Sequence, residues 1–262
     1  MNDLSFDNHP IPMARFAEHL DGNDRLELLR LGKRRSIAKN HYAFRAGEPA
    51  QCVCLVEYGL LKVLESKPDG RDVIMFIRAP GEILGLRGAL RPDGKGVRTY
   101  AAQACENTEI LCILAERFRS YLLEHPHLAL EVAEILSRRL SESCAKLSSL
   151  ALTHVPSRVA CLILNVGRCY GTLIGKGVDL NVPFSQQEIA DMVGAARQTV
   201  SGILTTLKLE GVISVSQKHI RIENIEQLKK LAASNVPLEL EAGPKTGSQG
   251  VSRKSDRRGI PR

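Results

Sequence analysis

The chain has 262 residues, a formal net charge of +7, 44% hydrophobic and 25% charged residues, enough for two domains with real cores and ordinary for a soluble globular protein. It contains no apolar run of transmembrane length and starts on polar residues, so neither a membrane span nor a signal peptide is expected and a cytoplasmic setting is. Its seven scattered cysteines then read as reduced thiols rather than a disulfide framework, and the modest positive charge favours a polyanionic partner without proving one.

Residues 1–12 read as a loose lead-in. Over 13–31, Phe16, Leu20, Leu26 and Leu29 have helical spacing, broken by Asp21 and Gly22. From 33 to about 115 the texture changes. Short β-rich runs alternate with turn signals at 45–48, 57–59, 68–70, 80–82 and 92–94. Val53, Leu55 and Val56, then 60–64, 73–77 and 110–114, are the strand candidates. Evenly spaced short strands of this kind indicate a barrel or β-roll, and a sandwich without a ligand is the plainer alternative. Cys52 and Cys54, two apart on a strand, face the same side. Such a pair can bind metal or oxidise, although buried free cysteines are common core residues. His41, His125 and His127 lack ligand spacing, so no haem, zinc or other metal site is expected.

Residues 118–125 form a short helix, and Pro126 starts the next. Within 127–150, Ala129, Ala133, Leu136, Leu140, Ser143, Leu147 and Leu150 follow alternating four- and three-residue steps, a heptad seam. Leu128, Val132 and Ile135 form a neighbouring stripe. A helix of about 24 residues spans roughly 36 Å. One stripe can pack on the β-rich part while the other meets a second copy; a helix buried on both sides of a monomer is the alternative.

Residues 153–156 read as a hinge, because Pro156 disfavours helical geometry at the residue before it. An amphipathic helix over 157–166, a loop over 171–177 and a short strand over 178–182 follow. The stretch 184–211 reads as two short helices around a tight turn. Ser185 with Glu188 makes a capping-box pattern. Ile189, Ala190, Met192 and Val193 form the apolar side of the first helix, and Gly194 suits a left-handed backbone at its end. Val200, Ile203, Leu204 and Leu207 form one buried stripe on the second. Arg197, Gln198 and Ser201 then point away from that stripe, where a helix-turn-helix presents side chains to the major groove. A helical hairpin buried in a core is the plainer reading, and the runs 212–215 and 220–222 weigh against it. They flank a polar turn and complete a winged-helix layout, with Lys218, His219 and Arg221 placed to reach phosphates. A last helix is expected over 225–233. Beyond Pro237 the tail is poor in aliphatics and carries Arg253, Lys254, Arg257 and Arg258, a disordered basic segment. The chain offers no glycine-rich phosphate loop, nucleophile elbow or HExxH motif, so no enzyme is expected.

The order of these pieces resembles the family of the cyclic AMP receptor protein and the fumarate-nitrate reductase regulator, the CRP/FNR family. The matching stretches are FRAGE at 44–48, EYG at 57–59, APGE at 79–82 with Gly85, SRRL at 137–140, PSRVA at 156–160, and SQQEIA at 185–190 through Thr199 and Val200. The resemblance covers about residues 25–233, and its helix-turn-helix is the most specific part. It implies an α+β fold: an N-terminal lead-in and helix (1–32), a cyclic-nucleotide-binding-like β-roll (33–125), a long dimerisation helix (126–152), a C-terminal winged helix-turn-helix (153–233) and the tail (234–262). The implied function is a homodimeric transcription regulator that binds a palindromic operator in double-stranded DNA, with RNA polymerase as a further partner and no membrane. Carried over residue by residue, Arg197, Gln198 and Ser201 fall at base-reading positions. Gln187, Ala196 and Thr199 fall at phosphate contacts; the dimer interface, read from the heptad seam rather than carried over, is Ala133, Leu136, Leu140, Ser143, Leu147 and Leu150. Two departures, Gln198 where members often carry glutamate and Gly202 where they carry arginine, point to a different operator.

The resemblance also bears on a ligand. Members that bind cyclic nucleotides use a Gly-Glu pair and then Arg-Ser to hold ribose and phosphate. Here those positions are Gly85 with Leu86, and Arg98 with Thr99. Leucine cannot accept the ribose hydrogen bond, which argues against cyclic AMP. Arg98 and Thr99 can still hold an anion, with Arg139 nearby; a solvated loop arginine is the plainer reading. Cys144 stands where nucleotide binders place a hydroxyl that reaches the purine. Cys112 falls at the β-roll ligand of the oxygen-sensing members. Those take three more cysteines from the N-terminal segment, and this chain has none before Cys52, which argues against an iron–sulfur cluster. The effector stays unassigned.

Overall fold

Two four-stranded antiparallel sheets face each other in the N-terminal half. One is ordered β1 (Gly32–Ile37), β8 (Thr108–Leu114), β3 (Cys52–Tyr58), β6 (Ile83–Leu84), and the other β2 (Tyr42–Phe44), β7 (Ala101–Ala104), β4 (Leu61–Ser66), β5 (Asp72–Arg78). The structure, a computed structural model, describes residues 16–18, 20–66, 72–91, 93, 96–180 and 182–234. The lead-in 1–12, the turn 68–70, part of the turn 92–94 and the tail beyond Pro237 lie outside the described residues.

Strands β3 and β8 read as nearly continuous apolar runs because both faces of their sheet are covered. On the inner face Cys54, Val56 and Ile110 meet Leu61, Val63 and Ala102 of the opposite sheet. On the outer face Val53, Leu55, Leu111 and Ile113 meet helices. These are α1 (Gly22–Leu31), α3 (Ala115–Glu124) and α4 (Pro126–Leu152). The short helix α2 (Leu86–Ala89) lies after β6. Gly59, at φ +80°, turns the chain between β3 and β4. A Cβ there would lie 2.8 Å from the Asn107 carbonyl oxygen, so the turn requires glycine.

The helical spacing is broken at Asp21 and Gly22, as expected: a short 3-10 turn (Phe16–Glu18) precedes them and α1 starts there. The Asp21 carboxylate accepts the Asp24 amide at 2.7 Å as an N-cap. That start places Leu28 inside and leaves Leu26, counted in the helical spacing, 55% exposed.

Proline at its first turn starts α4, since its missing N–H is unpaired there anyway. Its 27 residues span about 40 Å. The two stripes separate as their spacing requires. Leu128, Val132 and Ile135 are buried against the roll, whereas Leu136, Leu140 and Leu147 stay 41%, 66% and 67% exposed.

The C-terminal half holds α5 (Val155–Tyr170), α6 (Gln186–Val193), α7 (Arg197–Leu209) and α8 (Ile225–Ala233) around a sheet ordered β11 (Ile213–Ser216), β12 (His219–Ile222), β10 (Gly177–Leu180), β9 (Gly171–Ile174). The stretch 171–177 is thus not a loop. Thr172, Leu173 and Ile174 favour an extended chain, and Gly175 at φ +63° makes the turn that pairs β9 with β10. The halves touch directly. Tyr170 donates to the Ile77 carbonyl at 3.0 Å, and Lys62 donates to Glu188 at 2.8 Å. A cavity of about 510 Å³ opens between β5, the end of α4, α5 and α6.

Candidate nucleic-acid interface

Local chemistry specifies the ends of α6 and the turn into α7. The Ser185 hydroxyl accepts the Glu188 amide at 3.2 Å, and Glu188 accepts the Ser185 amide at 2.8 Å, a complete capping box. Gly194 ends α6 at φ +62° and sends its amide back to Ala190 and Asp191. Helix α7 then begins at Arg197. Val200, Ile203, Leu204 and Leu207 are at most 5% exposed, and each such burial contributes about 1.5–3 kcal/mol. Burying that stripe turns the opposite edge outward. Ala196, Arg197 and Gln198 are exposed, Thr199 and Ser201 half-buried. Gln187, on α6, is half-buried and donates to Asp191 at 3.2 Å. Ala196 is the N-cap residue, and no side chain caps α7, whose start is the positive end of the helix dipole.

The wing departs from its reading at one residue. Lys218 and His219 are exposed, and Gln217 and Lys218 take positive φ in the turn. Arg221 instead lies across the sheet. It donates to Glu223 at 3.2 Å and to the Ile174 carbonyl at 2.9 Å, near Asp179. Unlike the turn residues, it has acidic neighbours within the sheet and is held there.

Of the seam residues, Ala133, Leu136, Leu140 and Leu147 are exposed and Ser143 is half-buried, its hydroxyl donating to the Arg139 carbonyl at 2.9 Å. Leu150 departs in part. It remains 40% exposed, yet a Cβ at Gly194 would lie 2.8 Å from its Cδ2, so part of its surface already covers the helix-turn-helix turn of its own chain.

Sequence reasoning assigned no role to Arg158. Its Nε donates to Val193 at 2.8 Å, Nη2 to Gly194 at 3.4 Å, and Nη1 to the Thr153 carbonyl. One guanidinium thus ties the first residue after α4 to the turn before α7. Its place in the PSRVA stretch at 156–160 is the signal the sequence carries; only the fold brings 153 beside 193 and shows what the side chain holds. Glu188 carries a second job of the same kind. Burial raises its carboxyl pKa, but hydrogen bonds from Lys62 and Ser185 outweigh burial and hold it below the ordinary value.

The effector residues separate into three places. Gly85 and Arg98 come together: Gly85 sits at φ +85°, and a Cβ there would lie 2.1 Å from Arg98 Nη1. Arg98 is not a solvated loop residue. It is 6% exposed, stacked 4.0 Å from the Phe44 ring, with Nη2 donating to the Cys52 carbonyl at 2.7 Å. Thr99 is exposed and accepts from Arg87 at 2.7 Å. Arg139 donates to the Ile83 carbonyl at 2.6 Å. Burial and the nearby Arg78 charge pull its pKa down to about 10. Leu86, in the ribose-binding position, is 2% exposed. Cys144 is exposed on α4.

The roll interior gathers Cys52, Cys54 and Cys112, which all lie within 4.8 Å of one another at sulfur. The antiparallel register pairs Cys54 with Cys112, a match that spacing along the chain does not reveal. Hydrogen bonds from Cys112 and Cys54, followed by the Arg98 charge, pull the Cys52 thiol far down. Hydrogen bonds to Cys112 and Cys52, with burial, push Cys54 well up.

Among the described residues no helix is long and apolar enough to cross a membrane. A family model described as a Crp-like helix-turn-helix domain matches residues 157–231, and one described as a cyclic nucleotide-binding domain matches residues 34–125. The chain is 29% identical over 194 residues to the CRP-like cAMP-activated global transcriptional regulator of Mycobacterium tuberculosis, covering 74% of this chain and 85% of the relative. It is 26% identical over 228 residues to the transcriptional activator protein Anr of Pseudomonas aeruginosa, covering 86% and 89%. In fold it matches FixK2 from Bradyrhizobium japonicum at TM-score 0.66 and 21% identity, covering 78% of this chain and 99% of that one. It also matches a CRP-family transcriptional regulator from Thermus thermophilus at TM-score 0.64 and 24% identity, covering 78% and 98%.

Proposed function

The chain belongs to the CRP/FNR family of DNA-binding transcription regulators, and we propose that it acts as a homodimer reading a two-fold operator with two copies of α7. Arg197, Gln198 and Ser201 read bases, with arginine suited to guanine O6 and N7 and glutamine to adenine. Gln187, Ala196 and Thr199 meet phosphates, helped by the uncapped amides of α7. The α4 seam joins the copies, and RNA polymerase is the further partner. The observation that carries this reading is the division of α4: one stripe is buried at home, and Leu136, Leu140 and Leu147 remain in water on the other. Covering such leucines contributes about 1.5–3 kcal/mol each, and a second copy of the same helix offers matching knobs and holes.

The roll is the signal-receiving part, and the signal is something other than cyclic AMP. Leu86 removes the ribose acceptor, leaving no carboxylate beside Gly85 to take a 2′-hydroxyl. A change in α4 packing reaches the reading edge through Arg158, which holds Thr153 and the Val193–Gly194 turn together. Sedimentation equilibrium and gel shifts on genomic fragments test the reading. The wild type is expected to be dimeric and to shift fragments with half-sites about 34 Å apart. Leu140→Glu should be monomeric and fail to shift them. A monomeric wild type that still binds such fragments tightly overturns it.

A further inference from the structure

Cys52 and Cys54 lie 3.9 Å apart at sulfur, and Cys54 and Cys112 also 3.9 Å, with the third pair inside 4.8 Å. Sulfurs so spaced surround a point about 2.3 Å from each, the length of a metal–thiolate bond. Two of the ligands are alternate residues of β3 and the third sits directly opposite on β8, so the sheet itself holds the triangle in place. All three are free thiols in the roll interior.

A second observation concerns charge. The Arg98 guanidinium is 6% exposed, and its Nη2 lies 3.3 Å from the Cys52 sulfur. Its Nε and Nη1 have no hydrogen-bond partner among the described residues. A buried cation without a counter-charge is costly. Three neutral thiols leave that cost standing, whereas thiolates remove it, and thiolates are the form that binds metal.

We propose that Cys52, Cys54 and Cys112 form a three-coordinate site for a soft monovalent cation, copper(I). Thiolate-only sites select soft ions. A closed zinc site takes four ligands, and the described residues bring no fourth His, Cys, Asp or Glu into this group. Three thiolates, one copper(I) and Arg98 sum to a single negative charge, and binding releases the thiol protons to solvent. The site does not depend on the DNA-binding reading, since binding is measured on the protein alone.

The test is an anaerobic titration of the reduced full-length protein with copper(I) against a chromophoric copper(I) chelator, with zinc(II) and its own chelator in parallel. One copper per chain is expected, with three sulfur neighbours at about 2.3 Å by X-ray absorption. Cys52→Ala and Cys112→Ala should each weaken binding at least 100-fold, and Arg98→Gln, which acts on a ligand rather than on the metal, by about 10–100-fold. Cys144→Ala, exposed on α4, should bind as the wild type does. Circular dichroism checks that each variant folds. Stoichiometry below one half, equal affinity in the Cys112 variant, or preferential uptake of zinc with four ligands overturns the proposal. So does a Cys54–Cys112 disulfide in air-exposed protein combined with no copper uptake after reduction, which assigns the thiols to redox chemistry instead.

Discussion

Replacing Glu188 separates two contributions that one side chain makes. Its Oε2 accepts the Ser185 amide and completes the cap of α6, while its Oε1 takes the Lys62 ammonium from β4 at 2.8 Å. The Lys62 and Glu188 side chains are 12% and 30% exposed, so the pair is largely out of water. Losing a cap costs about 1 kcal/mol, and losing a half-buried charged hydrogen bond about 1.5–3 kcal/mol. Glu188→Ala should therefore destabilise by about 2.5–4 kcal/mol, or about 5–15 °C in melting temperature for a chain this long. Glu188→Gln retains a cap acceptor and should lose about half as much. Lys62→Met leaves the cap intact and should cost about 1–2 kcal/mol, because the remaining carboxylate reaches water. Thermal unfolding of the single and double variants closes a cycle whose coupling should fall at about 1–3 kcal/mol. Equal loss in Glu188→Ala and Glu188→Gln, with Lys62→Met neutral and coupling near zero, would refute the claim that this pair fastens the roll to α6.

The remaining predictions follow the same residues outward. Acid sensitivity should track Glu188 and Asp24. Burial raises both carboxyl pKa values, but hydrogen bonds from Lys62 and Ser185, and from His127, Tyr121 and Asp21, outweigh it and hold both below the ordinary value. Their stabilisation is complete above the unfolded-state pKa values of about 4 and is lost as pH falls through the lower folded values. Lys62→Met should flatten that acid limb in pH-dependent denaturation. Arg197→Ala should weaken binding to a cognate fragment by about 1–3 kcal/mol while barely changing affinity for random DNA, measured by competition gel shift. A uniform loss on both would assign Arg197 to phosphate instead. Gly59→Ala should destabilise by about 1–3 kcal/mol because it pairs a positive φ with a backbone collision; chemical denaturation reads this directly.

Local chemistry alone determined much of this protein. The capping box at Ser185 and Glu188, the left-handed Gly194 and the 3.6-residue stripe of α7 specify helix, turn and helix within a few residues of one another. Proline at the start of α4 and its two stripes likewise needed only spacing, because a helix repeats its faces at short range. The hairpin at β9 and β10 reads as a loop in the sequence, since its glycines break the periodic pattern of so short a strand. Partners far apart in sequence were decided by the tertiary structure. The pairing of Cys54 with Cys112 depends on strand register, and an offset of one residue would have moved that sulfur to the other face. Arg98 reads as a loop residue until the roll closes over it, Lys62 acquires its acceptor only when the two halves dock, and Arg158 acquires its own only when α5 packs against the end of α6. Periodicity records which face of an element is apolar; it carries no information about which element that face will meet.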